Sequence, residues 1–248
     1  DVWLYDLARA AWDRVTSEGN NTFPVWTLNG TTLTYNTDRT GAISIESKRL
    51  DGSAPQTVVP RAWATRLFPF SWSPDGALAF VALKPDQNIW MMRPGADATP
   101  TPLVMTPAVE GAPMVSPDGR AVAYVSNETG RNEIYVRLFA GPGEKLTITN
   151  SGANEPVWSP KGHELFYRNG NAMMAVDVET NPALKAGTPR RLFEGRYDTT
   201  LALYPNYSVT PDGQRFVMVK RIGEPQTPAQ INVFINWFDE LTRTIASK

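Results

Sequence analysis

The sequence predicts an all-β protein assembled from repeated four-stranded antiparallel sheets, and three observations predict it. A turn signal of the Ser-Pro-Asp-Gly type recurs along the chain. Short apolar segments rich in β-branched and aromatic residues follow each turn. Helical periodicity is absent until the C-terminal tail.

Aligned on their glycines, the turn motifs are VWTLNG at Gly30, SWSPDG at Gly76, MVSPDG at Gly119, VWSPKG at Gly162 and SVTPDG at Gly213. The intervals are 46, 43, 43 and 51 residues. In such a turn Pro presets φ, Asp bonds nearby backbone, and Gly takes a positive φ without steric cost. A period in the forties with four short strands per unit is the pattern of a β-propeller, whose blades each need neighbours to bury their faces.

The elements follow in order within one domain spanning 1–248. Residues 1–16, with VWLYDL and WDRVT, read as a half blade, the third and fourth strands of a unit. Five repeats begin near 24, 70, 113, 156 and 207. The clearest carries PMVS (113–116), AVAYVS (121–126), EIYVRLF (133–139) and KLTITN (145–150) as its four strands. The last supplies NYSV, RFVMVK and INVFINW, and WFDELTRTIAS (237–247) reads as a short amphipathic helix. Five blades are favoured over six, with the ring closed by joining the two ends in one composite blade. An unclosed ring would expose a blade edge through which two copies could pair.

Composition narrows the function. The 248 residues carry a net charge of −1 with no basic stripe, so neither nucleic acid nor an anionic membrane surface is an expected partner. No apolar run approaches the ~18 residues of a membrane span, and no signal peptide is read. The opening DVWLYDL already reads as a strand, which leads us to expect sequence upstream, including any targeting segment. Without cysteine there is no disulfide, zinc–thiolate site or thiol nucleophile. The single histidine, His163, follows SPKG at a turn. That arrangement leaves no Ser-His-Asp triad and no histidine-rich metal site.

The repeat SPDG, followed by an apolar strand and a strand opening D/N-I-W/Y, resembles that of TolB-like propellers of the WD type. EGAPMVSPDGRAVAYVSNETGRNEIYVRLFAGPG, EPVWSPKGHELFYRNGNAMMAVDVET and the tail INVFINWFDELTRTI are similar to the extracytoplasmic propeller region of bacterial serine/threonine kinase-linked proteins. The resemblance covers nearly the whole chain. It implies a sensing or interaction module in the periplasm or elsewhere outside the cytoplasm. No kinase motif is present, neither a glycine-rich ATP loop nor a catalytic HRD.

In a propeller the loops entering each innermost strand, and those from second to third strand, open at one mouth of the channel. Glu18, Glu110 and Glu155 precede inner strands, with Asn154 beside them and Arg196 and Tyr197 in a long loop. Converging carboxylates and amides there suit a protein, peptide or small-molecule ligand, or a divalent cation such as calcium; no other cofactor is expected. The same residues would equally cap loop amides. Trp26, Trp72 and Trp158 recur at one repeat position, as blade packing requires, whereas Trp63 departs from the repeat and is the aromatic expected to touch ligand. The leading reading is a non-catalytic binding or sensing module. The alternative is a glycan hydrolase using Glu110, Glu155 or Glu18, for which two carboxylates must converge.

Overall fold

A computed structural model describes residues 1–60, 63–95, 98–140, 145–199 and 204–220. These hold 21 strands and no helix. Strands β1 (Trp3–Asp6) and β2 (Ala11–Arg14) form a two-stranded sheet. Three four-stranded antiparallel sheets follow. The first contains β3 (Asn21–Trp26), β4 (Thr32–Thr37), β5 (Ser44–Arg49) and β6 (Gln56–Val59). The second contains β7 (Arg66–Trp72), β8 (Leu78–Leu83), β9 (Gln87–Met92) and β10 (Thr101–Val104). The third contains β11 (Glu110–Val115), β12 (Ala121–Ser126), β13 (Glu133–Leu138) and β14 (Lys145–Thr147). In the next sheet β15 (Asn154–Trp158), β16 (Glu164–Asn169) and β17 (Ala172–Glu179) run in order, and β17 pairs both β18 (Lys185–Ala186) and β19 (Arg190–Glu194). Last come β20 (Tyr207–Val209) and β21 (Phe216–Met218) as a pair. The expected strand INVFINW and the helix over 237–247 lie outside the described residues.

The recurring turn works as its residues dictate. The amides of Gly76, Gly119 and Gly162 donate to the carbonyls of Ser73, Ser116 and Ser159 at 2.9, 2.8 and 2.8 Å. The Ser73 and Ser116 hydroxyls accept from the amides of Ala77 and Ala121, both at 2.9 Å. At Gly119 φ is 69°, and a Cβ there would meet the Pro74 ring of the preceding turn at 3.3 Å. Glycine is demanded twice, by backbone sterics and by the close approach.

Innermost strands β3, β11 and β15 begin earlier than the turn pattern suggests, before the prolines Pro24, Pro113 and Pro156 rather than at them. Proline lacks the amide that would continue the ladder, so it ordinarily marks a strand's start. Here a β-bulge absorbs it. Pairing steps from Thr22 to Val25 in β3, from Gly111 to Met114 in β11 and from Asn154 to Val157 in β15. Phe23, Ala112 and Glu155, each just before its proline, take φ of 57°, 50° and 59°. In β7 the register shifts between Pro69 and Ser71, leaving Phe70 as the extra residue.

A bulge leaves backbone groups without ladder partners. Side chains of adjoining sheets supply them. Ser71 Oγ donates to Pro113 O at 2.9 Å and accepts from Val115 N at 3.0 Å. Trp158 Nε1 donates to Met114 O at 2.8 Å, and Tyr207 donates to Glu155 O at 2.9 Å. Trp72 Nε1 reaches Thr34 Oγ1 at 3.1 Å. Apolar packing completes each seam, most fully between the third and fourth sheets, where Val122, Tyr124, Ile134, Leu165 and Val176 are buried together.

Trp158→Phe keeps most of the buried ring and removes the part-buried bond to Met114 O. Unfolding in urea should show a loss of about 1–2 kcal/mol. An unchanged midpoint would show that the bond between sheets contributes nothing.

Candidate functional site

Residues of five innermost strands, Val25, Phe70, Met114, Val157 and Tyr207, border one central space. Across it the ring of Tyr204 stacks between Phe23 and Phe70, with centroids at 4.3 and 4.0 Å. The Tyr204 hydroxyl donates to Pro69 O. Phe70 and Tyr204 of this stack border two cavities, one reaching Arg66, Gln87 and Asn132 and the other Thr27, Leu28 and Pro160.

The cavity at the mouth opposite the Pro-Asp-Gly turns has a volume of about 490 Å³. Phe68, Phe70 and Tyr204 form its aromatic floor, and Arg66, Gln87 and Asn132 bring polar groups to its wall. Gln87 Nε2 donates to Glu110 O at 3.0 Å, and Asn132 Nδ2 donates to Asn154 Oδ1 at 2.8 Å. Both amides are thereby held in orientation. Arg66 is exposed and forms no ion pair among the described residues. The second-to-third strand loops pointed towards this rim, but nothing in the sequence distinguished Gln87 and Asn132 from other loop amides.

The candidate residues read from the sequence fall in several places. Glu110 and Glu155 lie in strands rather than loops, because the bulges extend β11 and β15 past their prolines. Both are buried. They are also not equivalent: Glu155 stands seven residues before its turn glycine and Glu110 nine before its own. Val109 and Gly111 line the mouth cavity, while the Glu110 carboxylate accepts from the Thr106 hydroxyl and leaves Oε2 unpartnered. Glu155 Oε2 accepts from Asn206 N at 3.1 Å, tying β15 to the approach of β20. Asn154 touches the mouth cavity's wall through Asn132.

Glu18 is exposed beside a separate recess of about 160 Å³ that Asn21, Tyr35 and Arg39 also line. Trp63 packs edge-on against Trp90 at 4.8 Å and Phe80 at 5.7 Å, with Lys84 Nζ 4.3 Å from its centre. Arg196 is exposed, and Tyr197 lies over the buried guanidinium of Arg168 at 5.9 Å. The structure therefore joins Glu155, Arg168, Tyr197 and Tyr207 in one neighbourhood and leaves Glu110 in another. Among the described residues no group of three or more Asp, Glu or His side chains is placed to hold a metal ion.

The buried carboxylates differ in protonation for identifiable reasons. Burial pushes Glu110 above its ordinary value, against the opposing bonds from Thr106. Burial likewise raises Glu155, opposed by the Asn206 amide and the charge of Arg168. At Glu133 burial is outweighed by bonds from Thr149 Oγ1 at 2.5 Å, Arg131 Nε at 2.6 Å and the Gly152 amide at 3.0 Å, so its carboxyl is held below the usual range. Its larger set of donors together with lighter desolvation separates Glu133 from the other two.

A carboxyl raised in the fold holds its proton more tightly folded than unfolded. Its stabilisation is full below the ordinary value and lost as pH rises through the raised one. Glu110→Gln removes that titration. Thermal unfolding should find the two proteins alike near pH 4 and the variant progressively the more stable above the ordinary carboxylate value of 4.5. Parallel curves for the two proteins would show that folding leaves the affinity of Glu110 for its proton unchanged.

No protein-family model matches the chain, and no curated protein matches it either. Solved structures do. A TolB from Agrobacterium tumefaciens superposes with a TM-score of 0.65 at 18% identity, covering 86% of this chain and 80% of that one. The periplasmic gluconolactonase PpgL of Pseudomonas aeruginosa gives 0.59 at 17%, covering 87% and 70%. An oligogalacturonate lyase from Vibrio parahaemolyticus gives 0.59 at 14%, covering 87% and 67%. These neighbours carry different activities at identities that establish architecture alone. In fold, the chain is a β-propeller similar to these structures.

Proposed function

We propose that the protein is a non-catalytic binding or sensing propeller that takes a carboxylate-bearing peptide or small molecule into its mouth cavity. One observation carries this reading: the exposed Arg66, without an ion pair among the described residues, stands with two pre-oriented amides above a floor of three aromatic rings. The volume of about 490 Å³ lies within the range of small-ligand sites. Guanidinium and amides would orient the carboxylate, and the rings would cover its apolar portion. Five inner strands around one space support a five-bladed arrangement. The fold shared with TolB and with a periplasmic gluconolactonase supports a place outside the cytoplasm.

The hydrolase alternative requires two carboxylates facing one substrate. Glu110 and Glu155 are engaged in separate hydrogen-bond sets within the walls, and Glu18 borders another recess. Their placement favours binding over turnover.

Thermal-shift screening and calorimetry against peptides with free C-termini and small carboxylic acids test the proposal. A hit should weaken at least about tenfold in Arg66→Ala, the loss of one charge-assisted contact. Binding indifferent to Arg66 would overturn the site. Turnover of the bound compound, abolished in Glu110→Gln or Glu155→Gln, would overturn the binding reading in favour of the hydrolase.

A further inference from the structure

The channel's other half opens at the Pro-Asp-Gly turns and has different chemistry. Its volume is about 510 Å³. No charged side chain stands among its described lining residues, and Phe70, Val157, Met114 and Val25 give it apolar walls. Polar groups in the lining are already committed. The Tyr204 and Tyr207 hydroxyls donate to Pro69 O and Glu155 O, and Trp158 Nε1 donates to Met114 O. Thr27 Oγ1 is bonded to Asn29 Oδ1 at 2.8 Å. Ser208 and Trp26, at the rim, retain polar groups for a ligand.

Trp26 carries a second, independent indication. It occupies the repeat position at which Trp72 and Trp158 hydrogen-bond to a neighbouring sheet. Trp26 is instead 45% exposed and lines the chamber, and Leu28 beside it is 67% exposed. The side chain that elsewhere seals a seam is here turned to an accessible apolar concavity.

We propose that this turn-side chamber is a second binding site, for a small, neutral, predominantly apolar molecule such as an aromatic compound or a short acyl group. A charged or strongly polar ligand would lose its water and find almost no partner in the walls. An apolar one gains by burying its surface in a concavity of suitable size. The stacked rings of Phe23, Tyr204 and Phe70 form the chamber's inner end, so ligand enters from the turn side. This assignment does not depend on the reading of the mouth cavity.

The neutral fluorescent probe N-phenyl-1-naphthylamine, titrated into the full chain, tests it. Saturable binding of one equivalent is expected. Met114→Trp fills the chamber and Leu28→Asp charges its rim. Each should weaken the probe at least about tenfold, and Arg66→Ala should leave it unchanged. Leu28 lies on an exposed turn, so its variant tests the site without disturbing the core; circular dichroism confirms the fold of each protein. Absence of saturable binding would overturn the proposal. So would affinity unchanged by both chamber variants, or affinity lost in Arg66→Ala, which would place the probe at the mouth.

Discussion

The bulge in four of the five innermost strands, β3, β7, β11 and β15, is the constraint on which the rest of this structure depends. A proline placed inside a strand removes one ladder donor, and the residue before it turns to positive φ in β3, β11 and β15. The ladder then skips, and backbone groups are released on the side facing the neighbouring sheet. Those groups become sockets. Ser71, Trp158 and Tyr207 fill them from adjoining sheets, so the defect within one sheet becomes the attachment between two.

This arrangement explains why acidic residues near the channel are not mouth acids. Glu155 sits at the bulge itself, where its carboxylate meets the Asn206 amide while its carbonyl meets the Tyr207 hydroxyl. It joins two inner strands by both main chain and side chain. Glu110 begins a strand whose alternation directs its neighbours to the cavity and its own carboxylate into the wall. The polar side chains on the cavity wall are Arg66, Gln87 and Asn132, carried on the ends of strands or just before them.

Much of the architecture was legible in the sequence because the turns are local. Ser116, Asp118 and Gly119 encode their hairpin within four residues, and the strand limits read for 121–126 coincide with β12. The site was less legible, for two physical reasons. Proline read as the start of a strand conceals a bulge, since the bulge depends on partners more than 40 residues away. Aligning glutamates by their loops also made Glu110 and Glu155 appear equivalent, although two residues separate them in register and that offset gives them different surroundings. Trp63 departs from the repeat, and its packing on Phe80 and Trp90 of the following sheet could not be read from that departure.

The aromatic stack at the channel's midpoint gives the two ends their separate characters. Phe23 stands at a bulge and Phe70 is the extra residue of another, so the same backbone irregularity that joins the sheets also projects rings into the channel. Tyr204 completes the stack from the approach to β20 and anchors its hydroxyl on Pro69, beside a bulge. On the mouth side, loops and strand ends supply arginine and amides. On the turn side, the hairpins spend their polar groups on their own closure and present mainly apolar surface inward. A single open channel would average these environments through shared water. The aromatic stack instead stands between a wall that carries arginine and amides and one that is mainly apolar.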